Sequence, residues 1–442
     1  MKSLRPLLSL FSLSLVSCVV AAAAGCGSSE SSSNGTTNDP TQPGSKGGTP
    51  GTNQTGGGAP AASTPNDINH VLGTGQSLSL GAMGTPALTK EQPYDNLMFD
   101  TGLEAPGAPS ALVPLVESNT FLGVPVETPS SSFANSIARR TNGQHPILMS
   151  LHGLSGASYP MVGKGTGPYL RGLAQVSKAK ELATAQGRKY TVRAVNAVHG
   201  ESDGWKNWNV DYDKALVEWQ SAFEHDIKQI TGQEADIPMF HSQYSAWTPM
   251  EVEPTNVIPG LQLAAHKAAP GKVVLVGPKY QLPYAQDGFH LSNEGYRWLG
   301  EYYAKAYAQQ VIEGKRWEPV RPKNVARSGA SITITFFVPA PPLVLDTQLV
   351  ADPGNFGFEA VDESGAIPIA KVAVTGPDTV TITLAREPSS SSGRIRYAWS
   401  GVPGKMGGRL EGPRGNLRDS DQTPSLYGNK LYDWCLHFDE AL

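Results

Sequence analysis

Four short stretches of this chain hold the side chains that acyl chemistry needs. In "GTGQSLSLG", Ser77 stands among glycines where an apolar run ends. "DGFH" sets Asp287 three residues before His290, and "HGESDGW" offers His199 with Glu201 and Asp203. "LHGLSGASYPMVGKGTGPY" supplies glycine-rich backbone. Hydrolysis through a serine requires those parts: a hydroxyl, a base for its proton, a carboxylate to orient the base, and donors for an oxyanion. Rival chemistries fit less well. No H-x-x-x-H or C-x-x-C spacing suggests zinc, which leaves His199, Glu201 and Asp203 as the sole metal-like grouping. A glycosidase built on two carboxylates would leave Ser77 and His290 idle. "MVGKGTGPY" lacks the G-K-[ST] of a phosphate loop.

These stretches recur at one place in a repeating pattern. "INHVLG", "PILMSLHG", "YTVRAVNAVHG", "DIPMFHSQ" and "KVVLVGP" are short apolar runs with the composition of buried strands. Between them, "YDKALVEWQSAFEHDIKQITG" carries Leu216, Trp219, Phe223, Ile227 and Ile230 at helical spacing, and Gly232 stops it. "NEGYRWLGEYYAKAYAQQVIEG" reads as a closing helix. Strand and helix in alternation predict a mainly parallel sheet covered on both faces. Ligands of such sheets bind beyond the carboxyl ends of the strands, where all four stretches would meet.

In that order the blocks resemble the SGNH (GDSL-like) hydrolase superfamily, and within it the sialate O-acetylesterase-like branch of carbohydrate acetylesterases. The first block of that branch is G-Q-S, here Gly75-Gln76-Ser77; the last is D-x-x-H, here Asp287 to His290. The third block, usually Q-G-E-[ST]-[DN], keeps Gly200, Glu201, Ser202 and Asp203. The match runs over roughly residues 66–314. It implies a flavodoxin-like three-layer α/β sandwich with a central parallel sheet. It also implies Ser77 as nucleophile, His290 as base and Asp287 as orienting acid. Oxyanion donors would be the amides of Ser77 and Gly156, with Gly153 as alternative to the latter, and Gln76, Gly200, Glu201 and Asp203 would support the loops. One departure stands out: the family's amide side chain at the head of the third block is His199 here, expected to donate to the oxyanion in its place. Neither metal nor organic cofactor is implied. The implied substrate is an acetylated carbohydrate; an esterase or lipase on other acyl esters, and an inactive glycan-binding protein, are the alternatives.

The bulk properties agree with an exported enzyme. Among 442 residues, 48 are Gly and 35 Pro, only 17% are charged, and the net charge of −4 gives no basis for nucleic-acid binding. "MKSLR" followed by an apolar run ending in small residues reads as an export signal over residues 1–26. "AAGC" marks Cys26 as a lipidation site, with "LVSC" at Cys18 as a second candidate, so contact with a membrane would be through a lipid anchor. Residues 27–65 are a Gly/Ser/Thr/Pro-rich tether with almost nothing to bury. The catalytic domain is expected over 66–316. From 317 to 442, runs such as "SITITFFVP", "TVTITLA" and "RIRYAW" separated by turns predict an all-β, sandwich-like domain. Trp205, Trp208, Trp247 and Tyr284 flank the motif loops as candidates for stacking on sugar rings. His70, His145, His152 and His241 lie in or beside apolar runs and read as structural, as does Cys435 between Trp434 and Leu436.

Overall fold

The central sheet of the computed structural model has seven strands in the order β3-β2-β6-β1-β7-β8-β9. They are β1 (Ile68–Gly75), β2 (Leu97–Phe99), β3 (Leu112–Pro114), β6 (Ile147–Leu151), β7 (Tyr190–Val198), β8 (Met239–Ser242) and β9 (Val273–Gly277). A small hairpin, β4 (Thr120–Phe121) and β5 (Val124–Pro125), lies outside it. Only the β2–β3 pairing is antiparallel; all other neighbours run parallel. The structure describes residues 63–205, 211–389 and 392–442. The export signal, Cys18, Cys26, most of the tether and Trp208 lie outside the described residues.

Helices cover both faces, which is why β1 is buried along its whole length and reads as a continuous apolar run. They are α1 (Pro129–Arg140), the one-turn α2 (Tyr159–Val162), α3 (Gly167–Ala185), the one-turn α4 (Glu201–Gly204), α5 (Tyr212–Thr231), α6 (Ile258–Ala268) and α7 (Asn293–Tyr307). Local chemistry sets their ends. Thr128 caps α1 by accepting from the Ser130 N–H, with Pro129 at the first position. Ser292 caps α7 by accepting from the Gly295 N–H. Along α5, Leu216, Trp219, Phe223 and Ile227 are buried as their spacing predicts.

Beyond Trp317 the chain forms two four-stranded antiparallel sheets. One contains Arg321–Ser328, Ser331–Phe337, Thr379–Leu384 and Ile369–Gly376. The other contains Gly365–Ile367, Phe358–Asp362, Arg394–Tyr397 and Phe438–Ala441. Burial alternates along Ser331–Phe337, so Ile332, Ile334 and Phe336 face inward as a half-buried strand requires. Phe336 of the first sheet meets Phe438 of the second, with ring centroids 6.2 Å apart. This sandwich and the α/β layer share one apolar core, and the described chain packs as a single unit.

Candidate active site

Ser77 comes directly after β1. At Gly75 the backbone takes φ +127°, and a Cβ there would lie 2.1 Å from the Val198 carbonyl oxygen, so only glycine lets β1 end against β7 in this way. The Gln76 N–H donates to that same oxygen, and Ser79 Oγ donates to the Gln76 carbonyl. Ser77 therefore opens a tight 3-10 turn at the carboxyl edge of the sheet, where its own N–H has no acceptor within the helix.

His290 reaches Ser77 from the loop after β9: Nε2 lies 2.8 Å from Ser77 Oγ. Its Nδ1 lies 2.7 Å from Asp287 Oδ2, while Asp287 Oδ1 accepts the backbone N–H groups of Phe289 and His290. Burial of Asp287 works against ionisation, but the hydrogen bonds from His290 and from the Phe289 and His290 backbone outweigh it and hold the carboxyl below its ordinary pKa. An ionised Asp287 can only accept, so it keeps the proton on Nδ1 and leaves Nε2 to accept from the serine hydroxyl.

A cavity of about 720 Å³ opens over these groups, walled by Gln76, Gly156, Glu201 and Ser202 as well as by Ser77 and His290. Gln76 Oε1 accepts the Ser202 N–H, joining the β1 and β7 loops. Glu201 forms a fully buried ion pair with Lys279, 2.9 Å away. Asp203 accepts the Tyr159 N–H and thereby holds α4 to α2. Three of the predicted loop residues, Gln76, Glu201 and Asp203, thus brace the cavity's edge. Sequence reasoning missed Lys279, which belongs to none of the four motif stretches. Its place just past the end of β9, at the carboxyl rim of the sheet, is the signal that could have found it.

His199 departs from its expected position. Gly200, at φ +125°, turns the chain so that Glu201 faces the cavity while His199 packs behind it, fully buried between Tyr212 and Trp219. Burial lowers its pKa despite the nearby Asp203 and Glu201, so the ring is neutral. Its Nε2 lies 3.0 Å from the Ala157 carbonyl, which can only accept, so that nitrogen carries the proton; Nδ1, 2.7 Å away, accepts from the Tyr212 hydroxyl. Both nitrogens are committed and neither points at the cavity. The expected oxyanion donor is instead a prop for Ala157, next to Gly156.

The remaining candidates divide. Trp205 lines the cavity and is half exposed. Trp247 is fully buried, with its ring N–H donated to the Pro254 carbonyl, and Tyr284 packs against Gly408 of the β sandwich. His70 bonds Tyr190 and Ser150, His145 bonds Tyr307, and His152 packs on Phe223. His241 sits by its neighbour's carbonyl, and Cys435 is buried.

The β sandwich supports the site directly. The Gly407 N–H donates to the Gly288 carbonyl at 2.7 Å, and the Met406 side chain lies over Gly288, inside the Asp287–His290 turn. Gln243 and His437 exchange two hydrogen bonds, Nε2 to the His437 carbonyl and the His437 N–H to Oε1. The Lys279 ammonium donates to the Gln243 carbonyl, so the buried Glu201–Lys279 pair is tied to the sandwich through one residue.

A scan against protein-family models found no match, and neither did a search of curated proteins. Solved structures do match. A carbohydrate acetylesterase from Xanthomonas citri superposes with a TM-score of 0.55 at 14% identity, over 84% of this chain and 80% of its own. NanS aligns over 57% of this chain and 99% of its own at 14% identity, with a TM-score of 0.42. A protein from Arabidopsis thaliana aligns over 55% and 99% at 17% identity, with a TM-score of 0.41. At such identity the first likeness speaks for the fold alone, which this chain shares with that acetylesterase over most of both chains.

Proposed function

We propose that this protein is a serine ester hydrolase that removes O-acetyl groups from carbohydrates. The observation that carries the reading is the unbroken contact chain from Ser77 Oγ through His290 to Asp287. His290 Nε2 takes the hydroxyl proton as Ser77 Oγ attacks the ester carbonyl. The oxyanion forms against the amides of Ser77 and Gly156. Its collapse breaks the bond to the alcohol oxygen, which receives the proton from His290 and leaves. Water then repeats the sequence on the acetyl-serine, releasing acetate and restoring the hydroxyl. The carbohydrate as carrier is supported by the G-Q-S and D-x-x-H blocks and by the fold shared with the Xanthomonas acetylesterase. Lipidation at Cys26 and a place in the cell envelope rest on the sequence of residues 1–26.

The test is acetate release from p-nitrophenyl acetate, acetylated xylan and O-acetylated sialic acid, with Ser77→Ala alongside. Loss of the serine should lower kcat by at least about a thousandfold. Equal turnover by both proteins would remove Ser77 from the mechanism, and glycan binding without turnover would favour an inactive binding protein.

A further inference from the structure

We infer that the substrate enters the cleft through an apolar group on the alcohol side of its ester: an acetylated glycoside with an alkyl or aryl aglycone, in place of a bare sugar. The inference rests on Ser77 and His290 acting as proposed above. A cavity of about 720 Å³ is of the size that takes a drug-sized ligand, far more than an acetyl group needs. Phe121, Met161, Trp205, Met250 and Phe289 form much of its wall.

Two polar side chains there are partly spent on the protein, with Glu201 Oε2 left as an acceptor. Gln76 Oε1 holds the Ser202 N–H, and Glu201 is paired with Lys279. Ser155, Ser158 and Glu201 Oε2 can meet one or two sugar hydroxyls, but hydroxyls buried against the aromatic and methionine part of the wall would lose water without gaining partners. The position of the aromatic rings indicates which half of the ester they meet. His290 hands its proton to the departing alcohol, so whatever surrounds its ring surrounds that alcohol. Phe289 and Phe121 do so, with centroids 5.1 and 6.5 Å from the imidazole.

The apolar wall also continues to the surface. Phe121 belongs to the β4–β5 hairpin, whose turn exposes Leu122 (88%) and whose second strand exposes Val124. Met161 and Met250 both line the cavity and face solvent, and Val252, two residues past Met250, is 83% exposed. Exposed apolar side chains neighbouring the lining of a reactive cleft are the mark of a site that meets apolar ligands.

The experiment compares methyl and octyl 6-O-acetylglucoside, the latter below its micellar concentration. The two share the acetyl ester, the sugar and the departing 6-oxygen, and differ only in the aglycone carried by the leaving alcohol. Each methylene that leaves water for an apolar wall contributes roughly fourfold. Burial of two or three therefore raises kcat/KM for the octyl glycoside by at least about tenfold, through KM. In Met161→Ser/Met250→Ser that preference should collapse toward unity with the melting temperature retained. Equal or lower kcat/KM for the octyl glycoside in wild type would overturn the inference. If neither acetate is turned over, the esterase reading fails, and calorimetric titration of Ser77→Ala with the two unacetylated glucosides decides the rest. Saturable binding of octyl but not methyl glucoside supports the apolar entry; binding of neither, or of both alike, overturns it.

Discussion

His199 holds one proton and two partners, and that count fixes what it can do. With Nε2–H given to the Ala157 carbonyl and Nδ1 receiving the Tyr212 hydroxyl, no donor remains for a developing oxyanion. Removing a true oxyanion donor costs on the order of 10²–10³ in kcat. Replacing a buried prop instead leaves a hydroxyl and a carbonyl unpaired, at about 1–3 kcal/mol each. His199→Phe should therefore lower the melting temperature by several degrees while kcat of the folded enzyme falls less than about tenfold. A hundredfold loss of kcat at unchanged stability would return the histidine to the oxyanion hole. The sequence located this residue at the right loop but could not say which way it faced. That depends on the turn at Gly200 and on Tyr212, thirteen positions along.

At the scale of elements, the acid–base turn is held from outside the catalytic layer. Asp287 closes the turn by accepting the N–H groups of Phe289 and His290, and Met406 and Gly407 press on its centre at Gly288. A methyl group at Gly288 would meet a left-handed backbone, φ +65°, and lie 2.6 Å from Met406 Cβ. The first costs about 1–2 kcal/mol, and the second must move the turn. A displacement near 1 Å at a reacting group can cost about a hundredfold, so Gly288→Ala should reduce kcat by at least about tenfold with the protein still folded. Adding Met406→Gly should recover part of that loss. Full activity in the single variant would show that the sandwich merely covers the turn. Strands and amphipathic helices were legible because their periodicity is local: β1, β6, β7, β8, β9, α5 and α7 all lie where the apolar patterns put them. The β4–β5 hairpin was not, since two-residue strands carry no period, nor was the contact of Met406 with Gly288, since nothing local to either residue announces the other.

The whole molecule keeps many imidazoles out of water. Burial lowers the pKa of His70, His152, His241 and His437 to about 3 and that of His145 to about 4. In the unfolded chain each titrates near 6.5. Between about pH 6.5 and those lower values the unfolded state binds protons that the native state does not, so stability is complete above 6.5 and declines as the pH falls. Glu117 works the other way: burial, with the Glu127 charge beside it, raises its carboxyl to about 8, so the native state holds a proton there that the unfolded chain gives up above its ordinary value. Burial raises Glu104, Glu301, Asp419 and Asp433 too and lowers His199 as a sixth imidazole, and the imidazoles, which all titrate near 6.5 when unfolded, set the sign between pH 7 and 5. The melting temperature should drop by about 10 °C from pH 7 to pH 5, and a flat profile over that span would mean the buried rings can charge in place. This part of the molecule was partly legible, because a histidine inside an apolar run has no water to charge against. The exchange between Gln243 and His437 joins residues 194 positions apart, and it bears on time as well as on place. Closing so long a loop is entropically late, and non-local contacts of this kind slow the search for the native state. The sheet and its helices can form from neighbouring segments before then, whereas the brace behind Lys279 and the Asp287 turn must wait for the sandwich. Activity is therefore expected to return more slowly than helical circular dichroism when the denatured chain refolds, and simultaneous recovery of the two would argue against a late brace.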